Sequence, residues 1–153
     1  MKPLSMQISL KIYPDDVLRR ICEPVEKFDS GLRDLKEEMV TIMRICSGIG
    51  LAAPQVGITK RLFICEIETR SLCLVNPTIK STVGTNGMIE GCLSLPDVQV
   101  NVPRSSRLSV EGYDSKGRKK HFEFKGLWAR VVQHEIDHLD GVLICDHGKN
   151  LRA

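Results

Sequence analysis

The 153-residue chain reads as an α+β fold, with mostly antiparallel β-sheets around a central helix that carries a His-Glu-x-x-His motif. Three observations carry that expectation. Apolar residues recur at helical spacing between Leu32 and Cys46, short strand-like segments fill the middle, and a second helical pattern runs from Leu127 into His134-Glu135-Ile136-Asp137-His138. The order helix, strands, helix fits an α+β layering rather than alternating units.

In the first helix, Leu32, Leu35, Met39, Ile42, Met43 and Cys46 form the apolar stripe, and Asp29 or Ser30 can cap its start. It should end near Ser47-Gly48. The stretch from Gly48 to Gly57 is too rich in glycine for a regular element and too apolar for an idle surface loop. Strands are expected at residues 61–67, 72–76, 98–102, 108–113 and 120–124, with Ser115-Lys116-Gly117 turning the last two into a hairpin. The second helix takes Trp128, Val131, Val132 and both histidines, and Gly141 suits its end. Trp128, the single tryptophan, is expected as a core anchor. No repeat, low-complexity tract or linker divides the chain, so residues 1–153 are expected to form one catalytic domain.

Apolar residues make up 42% and charged residues 27%, the profile of a soluble globular protein. The net charge of +3 is mild and unclustered, so no specific nucleic-acid partner is expected. The run Arg118-Lys119-Lys120 reads as a solvated turn and strand start. No secretory or transit segment and no membrane span is expected. Six cysteines, several inside apolar runs, suit free thiols in a reducing compartment, and the cytoplasm is the expected location.

On a helix, residues four apart lie roughly 40° apart around the axis, so His134 and His138 can reach one cation while Glu135 handles protons beside it. Thermolysin-like and metzincin sites both take a third ligand downstream. No Glu follows Glu135, and Ile144 stands where a metzincin would carry its third His. Upstream, the candidates are His121, Cys92 and several carboxylates. His121 alternates with Phe122 and Phe124 and should face solvent. Cys92 sits in Glu90-Gly91-Cys92-Leu93-Ser94-Leu95-Pro96, where glycine allows close approach and proline stiffens the exit. Coupled with the helix motif, Cys92 is the preferred donor, and two nitrogens with one sulfur leave a fourth position open, as catalytic sites do.

Three blocks, Gly48-Ile49-Gly50-Leu51-Ala52-Ala53-Pro54-Gln55, Glu90-Gly91-Cys92-Leu93-Ser94 and Gln133-His134-Glu135-Ile136-Asp137-His138, together resemble the three motifs of peptide deformylases. The resemblance runs from about Ile12 to Gly141 and includes Asp15-Asp16-Val17-Leu18-Arg19 and Asn76-Pro77. It implies removal of the formyl group from the N-terminal formylmethionine of new polypeptides. By resemblance, Cys92, His134 and His138 become metal ligands, Glu135 the general base and acid, and Gln55 with the Leu93 backbone N–H the oxyanion donors. Ile49, Gly50, Gly91, Leu127 and Arg130 fall where that family lines its methionine pocket, although ordinary core packing also explains Ile49 and Leu127. Glu90 and Arg104 resemble a family ion pair, with a surface pair as the alternative. Asp137 either orients a metal-bound His or is a solvated helix residue. Gln99 stands where several relatives carry a basic residue near the substrate backbone.

The resemblance also implies one divalent metal per chain, ferrous iron as the native ion with zinc, nickel or cobalt as substitutes; the donor set alone suits zinc equally. The implied partners are N-formylmethionyl nascent peptides met by a monomer. Many relatives continue into a long C-terminal helix, whereas this sequence stops at Ala153, so ribosome docking is not expected; a bacterial, organellar or phage source all fit. The competing readings are a different His-Glu-x-x-His metallopeptidase, disfavoured by the absent downstream ligand, and a catalytically inactive metal- or peptide-binding relative, disfavoured by Glu135.

Overall fold

The computed structural model describes residues 8–153. Helix α1 (Ser30–Ile45) starts where Asp29 Oδ1 accepts the Leu32 backbone N–H at 3.0 Å. Leu32, Leu35, Met39 and Met43 make its buried stripe. The helix stops at Ser47, whose φ of +58° breaks the right-handed path, while the Gly48 N–H returns to the Met43 carbonyl.

Strands β1 (Gly50–Ala52), β2 (Leu62–Ile67), β3 (Arg70–Val83), β6 (Arg107–Tyr113) and β7 (Lys119–Lys125) form a five-stranded antiparallel sheet in the order β1-β2-β3-β6-β7. Strands β4 (Asn86–Cys92) and β5 (Leu95–Arg104) pair antiparallel as a separate two-stranded ribbon. The β6–β7 hairpin is built as expected: Asp114 Oδ1 accepts the backbone N–H groups of Lys116 and Arg118, and Gly117 supplies φ +84°. His121 is exposed on β7, as its alternation with Phe122 and Phe124 implies.

Three departures from the sequence expectation have physical causes. The Gly48–Gly57 stretch is not irregular throughout; its middle forms β1, paired with β2 from Gly50↔Cys65 to Ala52↔Phe63, and then a 3-10 turn at Ala53–Val56. Strand β4 carries two glycines and no alternation of apolar and polar residues, so its extended form is set by its partner β5 and not by its own pattern. Strand β3 continues past Asn76 through a mostly exposed stretch without polar–apolar alternation, because β6 lies alongside it as far as Val83↔Arg107.

Helix α2 (Gly126–Leu139) packs against the inner face of the large sheet, where Ala129, Val132, Ile136 and Leu139 meet Phe63, Cys65, Leu74, Leu108 and Val110. Helix α1 closes a second core over Leu51, Val56, Leu62, Ile64 and Val75. A third cluster, Leu18, Leu95, Val100, Val102, Leu143 and Ile144, seats the β4–β5 ribbon on the segments flanking α2. Trp128 is partly buried and stacks on Phe124 at 6.1 Å. Among the described residues no helix is long and apolar enough to cross a membrane.

Gly141 ends the turn after α2 at φ +72°, and a Cβ there would lie 2.5 Å from the Arg19 carbonyl oxygen. Gly126 has φ +59° with no neighbour within 4 Å. Gly141→Ala should therefore lose at least about 2 kcal/mol in urea unfolding, from strain plus backbone collision, whereas Gly126→Ala should lose only about 1 kcal/mol. Equal losses would show that the approach of Arg19 does not matter.

Candidate metal centre and active site

Three separate elements converge on one face of α2. His134 and His138 project one turn apart from α2, Cys92 ends β4, and Gln55 sits in the 3-10 turn after β1. His134 Nε2 and His138 Nε2 lie 3.3 Å apart, and Cys92 Sγ lies 3.4 Å from His138 Nε2. Among the described residues this is the one group of three such donors close enough to share a cation. Nitrogens bound at about 2.0–2.1 Å to one tetrahedral cation would stand roughly 3.3–3.4 Å apart, so the spacing fits the donor set. His138 Nδ1 and Glu135 Oε1 are buried without hydrogen-bond partners. Orphaned polar atoms beside a cluster of converging lone pairs are what a site for a small charged group looks like.

The cluster floors a cavity of about 460 Å³ bordered by Ile49, Gly50, Gln55, Met88, Ile89, Gly91, Leu93, Leu127, Val131 and Glu135. Ile49 is 45% and Leu127 50% exposed, so both stand at the cavity rim and not in the core. Gly50 leaves room for the Glu135 carboxyl: a Cβ there would come within 2.5 Å of Glu135 Oε2 and would have to displace it. Arg130 also borders the cavity, but its guanidinium is committed elsewhere. It donates to Glu90 Oε2, to the Val102 carbonyl at 3.0 Å and to the Asn86 carbonyl at 2.6 Å. Arg130 therefore holds the β4–β5 ribbon on α2, a role its sequence position did not suggest.

Glu90 and Arg104 form a buried pair, not a surface one: Arg104 Nε and NH2 donate to the two Glu90 oxygens at 3.0 and 2.9 Å. Glu90 Oε1 also accepts from His134 Nδ1 at 2.9 Å, which fixes that ring and leaves Nε2 for the cluster. Burial pushes the Glu90 carboxyl up, but the bonds from His134 and Arg104 outweigh it and hold the group well below the usual carboxylate range. Asp137 touches neither imidazole. It accepts from Arg104 NH1 at 2.6 Å and from His147 Nε2 at 2.9 Å, so it braces Arg104 from behind. Gln133 bonds the Ser105 backbone at both its N–H and its carbonyl, pinning the end of β5. Ser94, His147 and Gln133 were not singled out from sequence, because their contacts join segments far apart in the chain.

Burial also pushes Glu135 up, to about 7, against the pull of His134 and Arg104. Burial lowers His134, but its hydrogen bonds to Cys92 and Glu90 outweigh that and raise it to about 10. His138 is held well below its ordinary range by burial and by the charges of His134 and Arg104.

A buried acid poised near neutrality beside a His₂Cys donor set, at the floor of a largely apolar cavity, defines a metal-dependent hydrolase site. The comparisons with known proteins narrow that class. The polypeptide deformylase family model matches residues 8–153. A peptide deformylase of Dictyoglomus thermophilum is 45% identical over 132 residues, covering 86% of each chain. The crystal structure of peptide deformylase from Thermotoga maritima superposes with a TM-score of 0.90 at 40% identity, over 92% of this chain and 96% of that one. A probable peptide deformylase from Synechococcus phage S-SSM7 gives a TM-score of 0.89 at 38% identity, over 92% and 99% of the two chains. The chain belongs to the polypeptide deformylase family. It is an enzyme that removes the N-formyl group from nascent peptides.

Glu90→Gln leaves Arg104 and Arg130 buried with only partial compensation and should cost about 3–5 kcal/mol in urea unfolding. Because the folded-state value of Glu90 is depressed, its contribution is complete above the ordinary value of 4.5 and is lost as the pH falls below it. The stability gap between wild type and Glu90→Gln should therefore narrow below pH 4.5. A gap independent of pH would refute the electrostatic account.

Proposed function

We propose that Cys92, His134 and His138 hold one divalent cation and that Glu135, Gln55 and the Leu93 N–H carry out deformylation around it. The observation that carries this reading is the meeting of Cys92 Sγ and both Nε2 atoms beside the unpartnered Glu135 Oε1. A divalent cation there supplies Lewis acidity toward water and toward the formyl oxygen. Glu135 takes the proton of the attacking water as that water adds to the formyl carbon. Gln55 and the Leu93 N–H receive the oxygen that becomes negative, two neutral donors that stabilise charge without adding one. When the C–N bond breaks, Glu135 returns its proton to the departing amine, leaving formate and a free methionine N-terminus. Gly50 keeps the space that Glu135 needs for both transfers.

The substrate enters the cavity with its methionine side chain against the apolar residues Ile49, Leu127 and Val131, and Gly91 lets the peptide backbone lie close to β4. Arg130 acts by holding Glu90 rather than by touching peptide. Ferrous iron is the native ion in this reading, with nickel, cobalt or zinc as substitutes, and the protein works as a monomer in the cytoplasm. A ferrous ion held by a cysteine sulfur is open to oxidation in air, at the iron and at the sulfur alike.

Glu135→Gln should bind cobalt with wild-type stoichiometry yet lose at least about 100-fold in kcat for formate release from formyl-Met-Ala. Persistent turnover in that variant would remove Glu135 from the mechanism. Separately, protein prepared anaerobically with iron should lose most activity within hours of exposure to air, while the nickel form keeps it. Equal decay of both would refute iron as the oxidation-sensitive native ion.

A further inference from the structure

We propose that Ser94 is a positioning residue that sets the Gln55 amide for the deformylation step, an inference that rests on Gln55 being an oxyanion donor. Gln55 is almost completely buried and Ser94 completely so. The Ala52 backbone N–H donates to Gln55 Oε1 at 3.0 Å. A backbone N–H can only donate, so the atom facing it must be the amide oxygen, and the amide NH₂ must point the other way. On that side Nε2 donates to Ser94 Oγ at 3.1 Å and lies 3.6 Å from Cys92 Sγ. Ser94 thus takes one amide hydrogen and fixes the plane of the group. The second hydrogen is thereby aimed at Cys92 Sγ, to which Nε2 donates at 3.6 Å, on the cavity side where charge develops.

The backbone reinforces the same alignment. The Lys11 N–H donates to the Gln55 carbonyl at 2.7 Å, and the Tyr13 N–H donates to the Ser94 carbonyl at 2.8 Å. One short segment therefore straps the turn that carries Gln55 to the turn that carries Leu93 and Ser94. Both oxyanion donors come from these two turns, so their separation is set by the strap and by the Ser94–Gln55 bond together. A donor must meet the oxygen within a few tenths of an ångström to be effective. An amide held only at its oxygen can swing about its last torsion, which is a soft one.

The test uses the cobalt-loaded enzyme and a double-mutant cycle. Ser94→Ala should lower kcat for formate release about tenfold, with KM changed less than twofold. Its cobalt stoichiometry should match wild type, because the donors to the metal are untouched. Gln55→Ala alone should lower kcat by about 100-fold or more. Adding Ser94→Ala to Gln55→Ala should then cost nothing further, and Ser94→Thr, which keeps the hydroxyl, should restore most of the kcat lost in Ser94→Ala. A Ser94→Ala loss that persists in the Gln55→Ala background, or a lowered cobalt stoichiometry, overturns the positioning role and leaves the oxyanion reading intact. Unchanged kcat in Gln55→Ala overturns the oxyanion reading, and this proposal with it.

Discussion

Everything at the floor of the cavity depends on one buried carboxylate. Glu90 is met by Arg104, Arg130 and His134, so a single side chain ties β4 to β5, both to α2, and an imidazole to its orientation. Two guanidinium groups against one carboxylate leave excess positive charge in the interior, and Asp137 relieves it by accepting from Arg104. The balance is collective. Removing any one member leaves the others buried without their counter-charge, which is why such networks are costly to break. The network also occupies the one arginine that borders the cavity, Arg130, so its charge is turned away from the space above Glu135.

A second constraint is the narrow space between the sheet and α2. Strand β1 runs so close to α2 that a Cβ at residue 50 would push on the Glu135 carboxyl, and one at Gly48 would press on the Leu93 side chain. These two glycines are what let three distant segments share one small volume. The apolar content of the surrounding cores then fixes the segments in place: Leu51 and Ala52 are fully buried on either side of the approach, and Val131 and Val132 seal the helix side.

The parts of this arrangement that were legible in the sequence are the ones written locally. Asp29 before an apolar stripe marks the start of α1, and Asp114 with Gly117 marks the β6–β7 turn. The paired histidines one turn apart, and the glycine-flanked Cys92, are equally local signals. What could not be read is set by partners elsewhere in the chain. Strand β4 has no pattern of its own, β1 is extended because β2 lies beside it, and Arg130, which resemblance places at the methionine pocket, shows its bond to Glu90 only once the fold brings the two together. Asp137 sits inside the helix motif, yet its side chain points to Arg104 and His147, away from the imidazoles. Ser94 is visible in the motif but its hydroxyl gains meaning only from Gln55, which lies in another block.

The segment that straps Gln55 and Ser94 has a further consequence for how the molecule is made. Its continuation is also tied late in the chain: the Cys22 N–H donates to the Leu139 carbonyl, and Arg19 bonds both the Gly141 carbonyl and Asp146. Arg19 and Cys22 therefore find their partners more than a hundred residues further along the chain. Contacts of such wide sequence separation close slowly, because loop entropy must be overcome before they form. The catalytic floor, which needs Gln55, Cys92 and His138 side by side, is therefore complete only when segments far apart in the chain have met, and an enzyme that acts on newborn chains gains its own activity late in its folding.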